Sequence, residues 1–533
     1  MFAVFKEVTI LPKHLAHKRI SSEHHVPTLV RQPQEPNRTP TRKKKDTVSF
    51  EPQFAASNIH YEVSDKTDGL ICGGIGAIHL LARRIGLIDD INHNLHLLKI
   101  HLPYHESDHV LNFAYNALCN GTCLQDIEGR RTDENFLNAL GTRRIPDPTT
   151  AGDFCRRFTD RDVETLIDAL NITRRRVWAE QPDDFFDCAT VDLDGTLTPT
   201  TGQCKHGMDI AYNGVWGYHP LIVSLANTGE ILSIVNRPGN RPSHENAARE
   251  VDRALLVCLQ GGFRKVLVRG DTDFSQTAHL DGGNDLPRVR FIFGFDAIPK
   301  LVARADELPA KAWRRLERPA RYRVQTQPRQ RPANVKDRVV KERGFETLRL
   351  QSEDVAEFDY RPLACRTSYR LVVVRKNITR EKGETALFDE VRYFFYITNE
   401  RDGSADDIVF SANDRCNQEN LIAQLKGGVR ALHAPVDALT SNGAYMVMTA
   451  LAWNLKAWWA LMLPEPPGRW HERHAAQKHW VLTMEFRTFL NAFVLLPCQI
   501  VKTGRKLVYR LLSWNPHLPI FVRLIKGLHQ LRC

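Results

Sequence analysis

Between residues 185 and 298, strand-length apolar runs alternate with turn signals in an order that few folds accommodate. FFDCATVDLDG (185–195) is a short apolar segment ending in acids. The stretch from Cys204 to Asn240 carries turn signals at Asn213-Gly214 and Asn227-Thr228-Gly229 between β-rich runs, which predicts an antiparallel meander. A helical segment (244–260), the strand RKVLVRGD and the strand VRFIFGF follow. Three strands, a helix and a strand, with acids ending the first and fourth strands, predict an α/β core. Its carboxylates would cluster where neighbouring strands end.

The flanks read differently. Residues 61–180 and 431–533 carry helical apolar periodicity, whereas residues 1–60 are polar and basic and predict a disordered arm. Between 299 and 390 the alternation is interrupted, and residues 314–343 hold eleven Arg/Lys against three acids. This predicts a basic, β-rich insertion into a core formed by 185–298 plus 391–430. In IPDPTTAGDFCRRF, Thr150 with Asp153 has capping-box spacing for a helix that would present Arg156 and Arg157 to DNA.

The formal charge of +11 suits a polyanionic partner. Eleven scattered cysteines without a CxxC point to reduced thiols in a cytoplasmic protein with no zinc module. The apolar run 443–463 is interrupted by Asn454 and Lys456, so a buried helix is expected there rather than a membrane span. The N-terminus carries no convincing signal peptide. Trp453, Trp458 and Trp459 then belong to the core.

A second constellation lies at Arg415, Glu419 and Lys426, which would share one face of a helix. As a surface ion-pair ladder this would contribute only about 0.2–0.5 kcal/mol per pair. Joined to Asp194 and Asp271, Glu419 would complete a three-carboxylate site for a divalent metal. The same aspartates admit another chemistry. VDLDGT matches the signature of haloacid-dehalogenase-like phosphatases, in which Asp192 would attack phosphate and Asp194 would serve as acid/base. That alternative leaves Arg415, Glu419 and Lys426 without a role.

Taken in order, DLDGT, NRPGN (236–240), VRGDTDF (268–274), NDRCNQENLIAQLKGG and ALAWNL (450–455) resemble the DDE transposases of bacterial insertion sequences, specifically the IS thirteen-eighty-type family. The R-x3-E-x6-K signature of that superfamily is present as Arg415, Glu419 and Lys426, although Ala412 stands where a tyrosine is usual. The resemblance implies a ribonuclease-H-like core interrupted by a β-rich insertion, with Asp194, Asp271 and Glu419 holding two Mg²⁺ ions and Mn²⁺ able to substitute. It further implies phosphate contacts by Arg415 and Lys426, and base stacking by Trp313 beside Arg314 and Arg315. The substrate would be double-stranded DNA at terminal inverted repeats and at a target, paired by a homodimer in a synaptic complex.

The resemblance implies Asp194 rather than Asp192 as the ligand, because the family pattern places it just before the small residue and Thr196; Asp192 is then a supporting acid or itself a ligand. Asp271 is preferred to Asp273, which is expected to cap the following turn. His206 and His244 are expected to be hydrogen-bonded structural residues. Arg237 and Asn240 are expected to shape a turn, with a DNA contact by Arg237 left open.

Overall fold

The computed structural model describes residues 68–101, 103–318, 334–383, 385–503, 506–512 and 515–530. The expected basic arm, residues 1–60, lies outside the described residues.

The centre of the molecule is a nine-stranded mixed sheet. Its strands are β1 (Cys188–Gly195), β2 (Leu221–Leu225), β3 (Glu230–Val235), β4 (Lys265–Gly270), β5 (Val289–Phe295), β6 (Arg314–Arg315), β7 (Glu346–Tyr360), β8 (Tyr369–Lys382) and β9 (Thr385–Thr398). They lie in the order β6-β7-β8-β9-β5-β4-β1-β2-β3. β1, β2 and β3 are antiparallel neighbours, whereas β1, β4 and β5 run parallel. This five-stranded portion is a ribonuclease-H-like arrangement. β4 and β5 are rich in Val, Ile, Leu and Phe, as burial on both faces requires, whereas β1 sets two aspartates among its apolar residues.

The helices that position the site are α1 (Glu106–Leu118), α2 (Pro148–Arg156), α3 (Asp160–Ala179), α4 (Ala247–Gln260), α5 (Ala405–Asp414), α6 (Cys416–Lys426) and α7 (Leu439–Leu461). α2 starts earlier than the spacing suggests. Asp147, not Thr150, is its N-cap, accepting from the Thr150 N–H with Pro148 in the first turn. Asp-Pro is the stronger start signal, because proline's missing N–H costs nothing there. Arg156 therefore falls in the last turn rather than the first.

The basic insertion does not form a sheet of its own. β7, β8 and β9 make a long antiparallel ribbon, and the last four residues of β9, Phe395–Thr398, pair with β5 to continue the core sheet. The expected boundary at residue 390 falls inside β9. The C-terminal region is helical but also contains a hairpin (Cys498–Thr503 and Lys506–Leu511), which pairs with Asp68–Leu70 at the start of the described chain.

α7 is the apolar run of the sequence. It is 23 residues long and buried nearly throughout, and all three of its tryptophans are core residues. Its polar interruptions have partners: the Asn454 side chain bonds both the N–H and the carbonyl of Ile231, and Lys456 Nζ donates to the Leu482 carbonyl at 2.7 Å. No helix among the described residues is long and apolar enough to cross a membrane. The ten described cysteines are free thiols, five of them buried.

Candidate active site

Alternation along β1 puts Asp192 and Asp194 on the same face of the sheet, the face covered by α5 and α6. Their environments differ. Asp192 is 1% exposed and pairs across the parallel register with Arg269, its Cα partner on β4. Arg269 donates to both carboxylate oxygens at 2.7 and 2.8 Å, and its remaining arm donates to the Ser411 carbonyl of α5 at 2.7 Å. Burial pushes the Asp192 carboxyl up, and Arg269 opposes that push. Asp192 is thus a buried tie between β1, β4 and α5, and it is poorly placed to attack a phosphate as a phosphatase would require.

Asp194, one residue from the strand end, and Asp271, just past the end of β4, converge on Arg415. Arg415 lies 3.4 Å from Asp194 and 4.0 Å from Asp271. One guanidinium is thus shared between two carboxylates. Burial raises the Asp194 carboxyl to about 6; Arg415 works against this, and the charges of Asp271 and Glu419 add to it. Burial also raises Asp271, opposed by Arg415 and reinforced by Asp273. Glu419 thus lies within the field of Asp194, although the three carboxylates do not close into a ligating cluster around one point. Asp271, rather than Asp273, caps the turn that follows: its Oδ1 accepts the Asp273 N–H at 3.0 Å, and Asp273 is exposed.

Arg415 sits at a corner rather than inside one long helix. α5 ends and α6 begins at this residue, whose own backbone stays in the right-handed helical region. α5 starts with a capping box, Ser404 and Asp407 exchanging bonds with each other's backbone N–H. α6 is fixed to the sheet by Gln418, which is buried; its side chain bonds the Ser224 hydroxyl and the Ile222 carbonyl of β2. The amide of Gln418 therefore sets where Glu419 stands. It was missed in the sequence because a buried glutamine beside an exposed glutamate reads as surface. Lys426 ends α6; burial lowers its ammonium, against the pull of Asp194.

His219 was also missed. Its Nδ1 is 2.7 Å from the Arg241 carbonyl, which fixes Nδ1 as the donor and leaves Nε2 as an acceptor in the neutral ring. That Nε2 lies 2.8 Å from where a Cβ on Gly195 would stand, so a side chain directly after Asp194 would force the imidazole to shift. Burial lowers the His219 imidazole, with Asp273 and Lys426 among the charges that act on it. Only its place, just before the second strand, could have suggested a role.

Other anticipated residues lie elsewhere. Trp313 packs its ring under Arg375 at 4.3 Å and beside Tyr393, while Arg314 pairs with Asp406 at 2.9 Å and Arg315 is exposed. Arg156 bridges Asp153 and Asp437, and Arg157 is exposed at the end of α2. Arg237 is buried and donates to the carbonyls of His219, Pro242, Ser243 and Glu245. It organises the turn after β3, and burial lowers it to about 10. His244 is half-buried, and His206 is exposed with its backbone N–H on the Asp437 carbonyl.

Among the described residues, the side chains close enough to hold a metal ion are His101, His105 and Glu106, whose ligand atoms lie within 4.8 Å of one another. They were not anticipated from the sequence, although His-x3-His-Glu offers two imidazoles and a carboxylate, a borderline-soft set. Glu106 already accepts the Leu97 and Leu98 N–H groups. This cluster stands at the start of α1, not on the strand ends.

A family model described as transposase DDE domain group 1 matches residues 71–533. The chain belongs to that family. Membership places this DDE transposase domain among enzymes that modify nucleic acid. Among solved structures, the cryo-EM structure of a piggyBac transposase synaptic complex with hairpin DNA is similar at 10% identity and a TM-score of 0.34, over 79% of this chain and 81% of that one. No curated protein matches the chain.

Proposed function

We propose that the chain is the transposase of an insertion sequence of the IS thirteen-eighty type, cutting DNA at terminal inverted repeats and joining the ends to a target. The observation that carries this reading is the pair Asp194 and Asp271, at the ends of adjacent parallel strands, sharing the Arg415 guanidinium while Glu419 adds its charge to the field at Asp194. Such a site holds more negative charge than its own residues neutralise, as a divalent cation site does.

Asp194, Asp271 and Glu419 offer hard oxygens, the donor chemistry that two Mg²⁺ ions, or Mn²⁺ in their place, would take once the three carboxylates are drawn together. Divalent cations held by these residues would supply Lewis-acid activation of a water or 3′-hydroxyl and charge stabilisation for an in-line displacement at phosphorus. The chain's own groups orient the strand: Arg415 and Lys426 hold phosphate oxygens, and Asp192 with Arg269 keeps β1 and β4 in register beneath them. Arg156, Arg157, Arg314, Arg315 and Trp313 extend the contact along the duplex. The helical region 61–180 recognises the element end, the ribbon within 299–390 covers the DNA, and two copies pair two ends.

The test is direct. DNA carrying the repeat that borders the coding region is incubated with the purified chain and Mg²⁺. Nicking at the repeat boundary that is abolished by Glu419→Gln is expected. Hydrolysis of a phosphomonoester that survives Glu419→Gln and is lost in Asp192→Asn would establish the phosphatase instead.

A further inference from the structure

One residue after Asp194, the chain leaves the core sheet and builds a small three-stranded sheet: Thr198–Pro199, Asp209–Ile210 and Trp216–Tyr218. Its base is rigid. Tyr218 is fully buried and donates to the His206 carbonyl at 2.9 Å. Gly217 lies against the Thr198 carbonyl so closely that no Cβ would fit. The tip is a tight turn in which Ala211 bonds Val215, Gly214 bonds Ala211, and Gly214 takes a positive φ of 81°.

What this well-anchored turn displays is apolar. Tyr212 is 97% exposed, and Trp216 (52%) stands directly across from Ile210 (44%) on one face of the hairpin. Scattered exposed apolar residues need no explanation, but three within seven positions on an ordered tip form a patch. The backbone path fixes its distance from the acids: Thr200, six residues past Asp194, bonds the Trp216 carbonyl, so the patch base lies within roughly 20 Å of Asp194. Arg415 and Lys426 lie near the same strand end, and the chain as a whole is cationic.

We infer that the hairpin 198–218 is a base-stacking platform: Trp216 and Tyr212 stack on unpaired nucleobases of the DNA strand beside the cleavage position. This rests on the transposase reading above and adds an element to it. Trp313, the aromatic residue expected from the sequence to stack on a base, has one ring face taken by Arg375, whereas Trp216 and Tyr212 are open. Aromatic faces beside cations are the recurrent way to bind single strands without regard to sequence, because every base has a π-face.

The experiment uses the full chain in EDTA, with anisotropy of a labelled oligothymidylate of about 16 nucleotides and of a duplex of the same length. Trp216→Ala and Tyr212→Ala are expected to weaken the single strand by about tenfold. Duplex binding should stay within about twofold, and Trp216→Phe should recover most of the loss. Unchanged single-strand affinity in both alanine variants overturns the proposal, as does an equal loss on the duplex. Variants that keep oligonucleotide affinity but lose self-association in sedimentation mark the hairpin as a protein contact, and again overturn it. Glu419→Gln separates the two readings. If the wild-type chain binds through Trp216 but never nicks DNA in Mg²⁺, the transposase reading falls and the stacking platform stands. If nicking depends on Glu419 while Trp216→Ala binds normally, the platform alone falls.

Discussion

Two acids in this sheet show opposite designs. Glu230, at the start of β3, is completely buried and fully answered: Arg174 donates at 3.0 Å, Trp178 at 2.9 Å, Trp458 at 2.7 Å and Thr228 at 2.7 Å. Asp194, at the end of β1, has one cation at 3.4 Å and shares it with Asp271. The first arrangement ties α3 and α7 to the sheet. The second leaves charge unbalanced at an accessible edge, which costs stability and is what the proposed cation site requires. Buried carboxylates alone therefore do not mark function; the unbalanced ones do.

Breaking the balanced cluster should have the largest effect. Arg174→Met leaves Glu230 buried without its cation, and a loss of roughly 3–5 kcal/mol is expected in urea denaturation. Restoring neutrality with Arg174→Met/Glu230→Gln should recover part of it.

Lys456 sharpens the contrast from the cationic side. It is buried without an acid partner, its ammonium over the Trp453 ring, and burial lowers it to about 7. In the unfolded chain it titrates near about 10.4. Between these values the unfolded state binds more protons, so this residue makes stability rise as pH increases from about 7 towards 10. Lys456→Met should raise the unfolding free energy from urea titration at pH 7 by an amount on the order of a few kcal/mol, and should flatten the climb from pH 7 to 9. A variant with the wild-type slope would remove Lys456 as its source.

A smaller effect is expected from Gln418→Leu, which removes the hydrogen bonds fixing α6 to β2. About 1–2 kcal/mol of stability should be lost. Because Glu419 is positioned by that contact, the nicking rate should fall more than DNA affinity does; parallel losses would mean that α6 merely binds DNA.

Much of the fold was legible because its signals are local. The β-branched runs announced the core strands, Asn-Thr-Gly the turn from β2 to β3 and Asn-Gly the tip of the small hairpin, and the two polar interruptions marked α7 as buried rather than membrane-spanning. What escaped depended on register and tertiary contact. Nothing near Arg415 breaks a helix by composition, and the residue keeps a helical backbone even where α5 gives way to α6. Arg269 and Asp192 meet only through the parallel pairing of β1 with β4. The ribbon joins the core sheet through four residues of β9, a continuity that a strand pattern alone does not reveal.

The contrast between the two acids reduces to one paired measurement: thermal melting and Mg²⁺-dependent nicking of Asp194→Asn beside Glu230→Gln. Because Asp194 is raised to about 6, its charged form opposes folding above that pH, and stability falls as pH rises from about 4 to 6. At pH 7, Asp194→Asn is therefore expected to melt higher than the wild-type chain and to nick nothing, whereas Glu230→Gln melts lower and any protein still folded retains activity. An Asp194→Asn variant that melts lower, or that still nicks, would contradict the placement of the active site at this strand end.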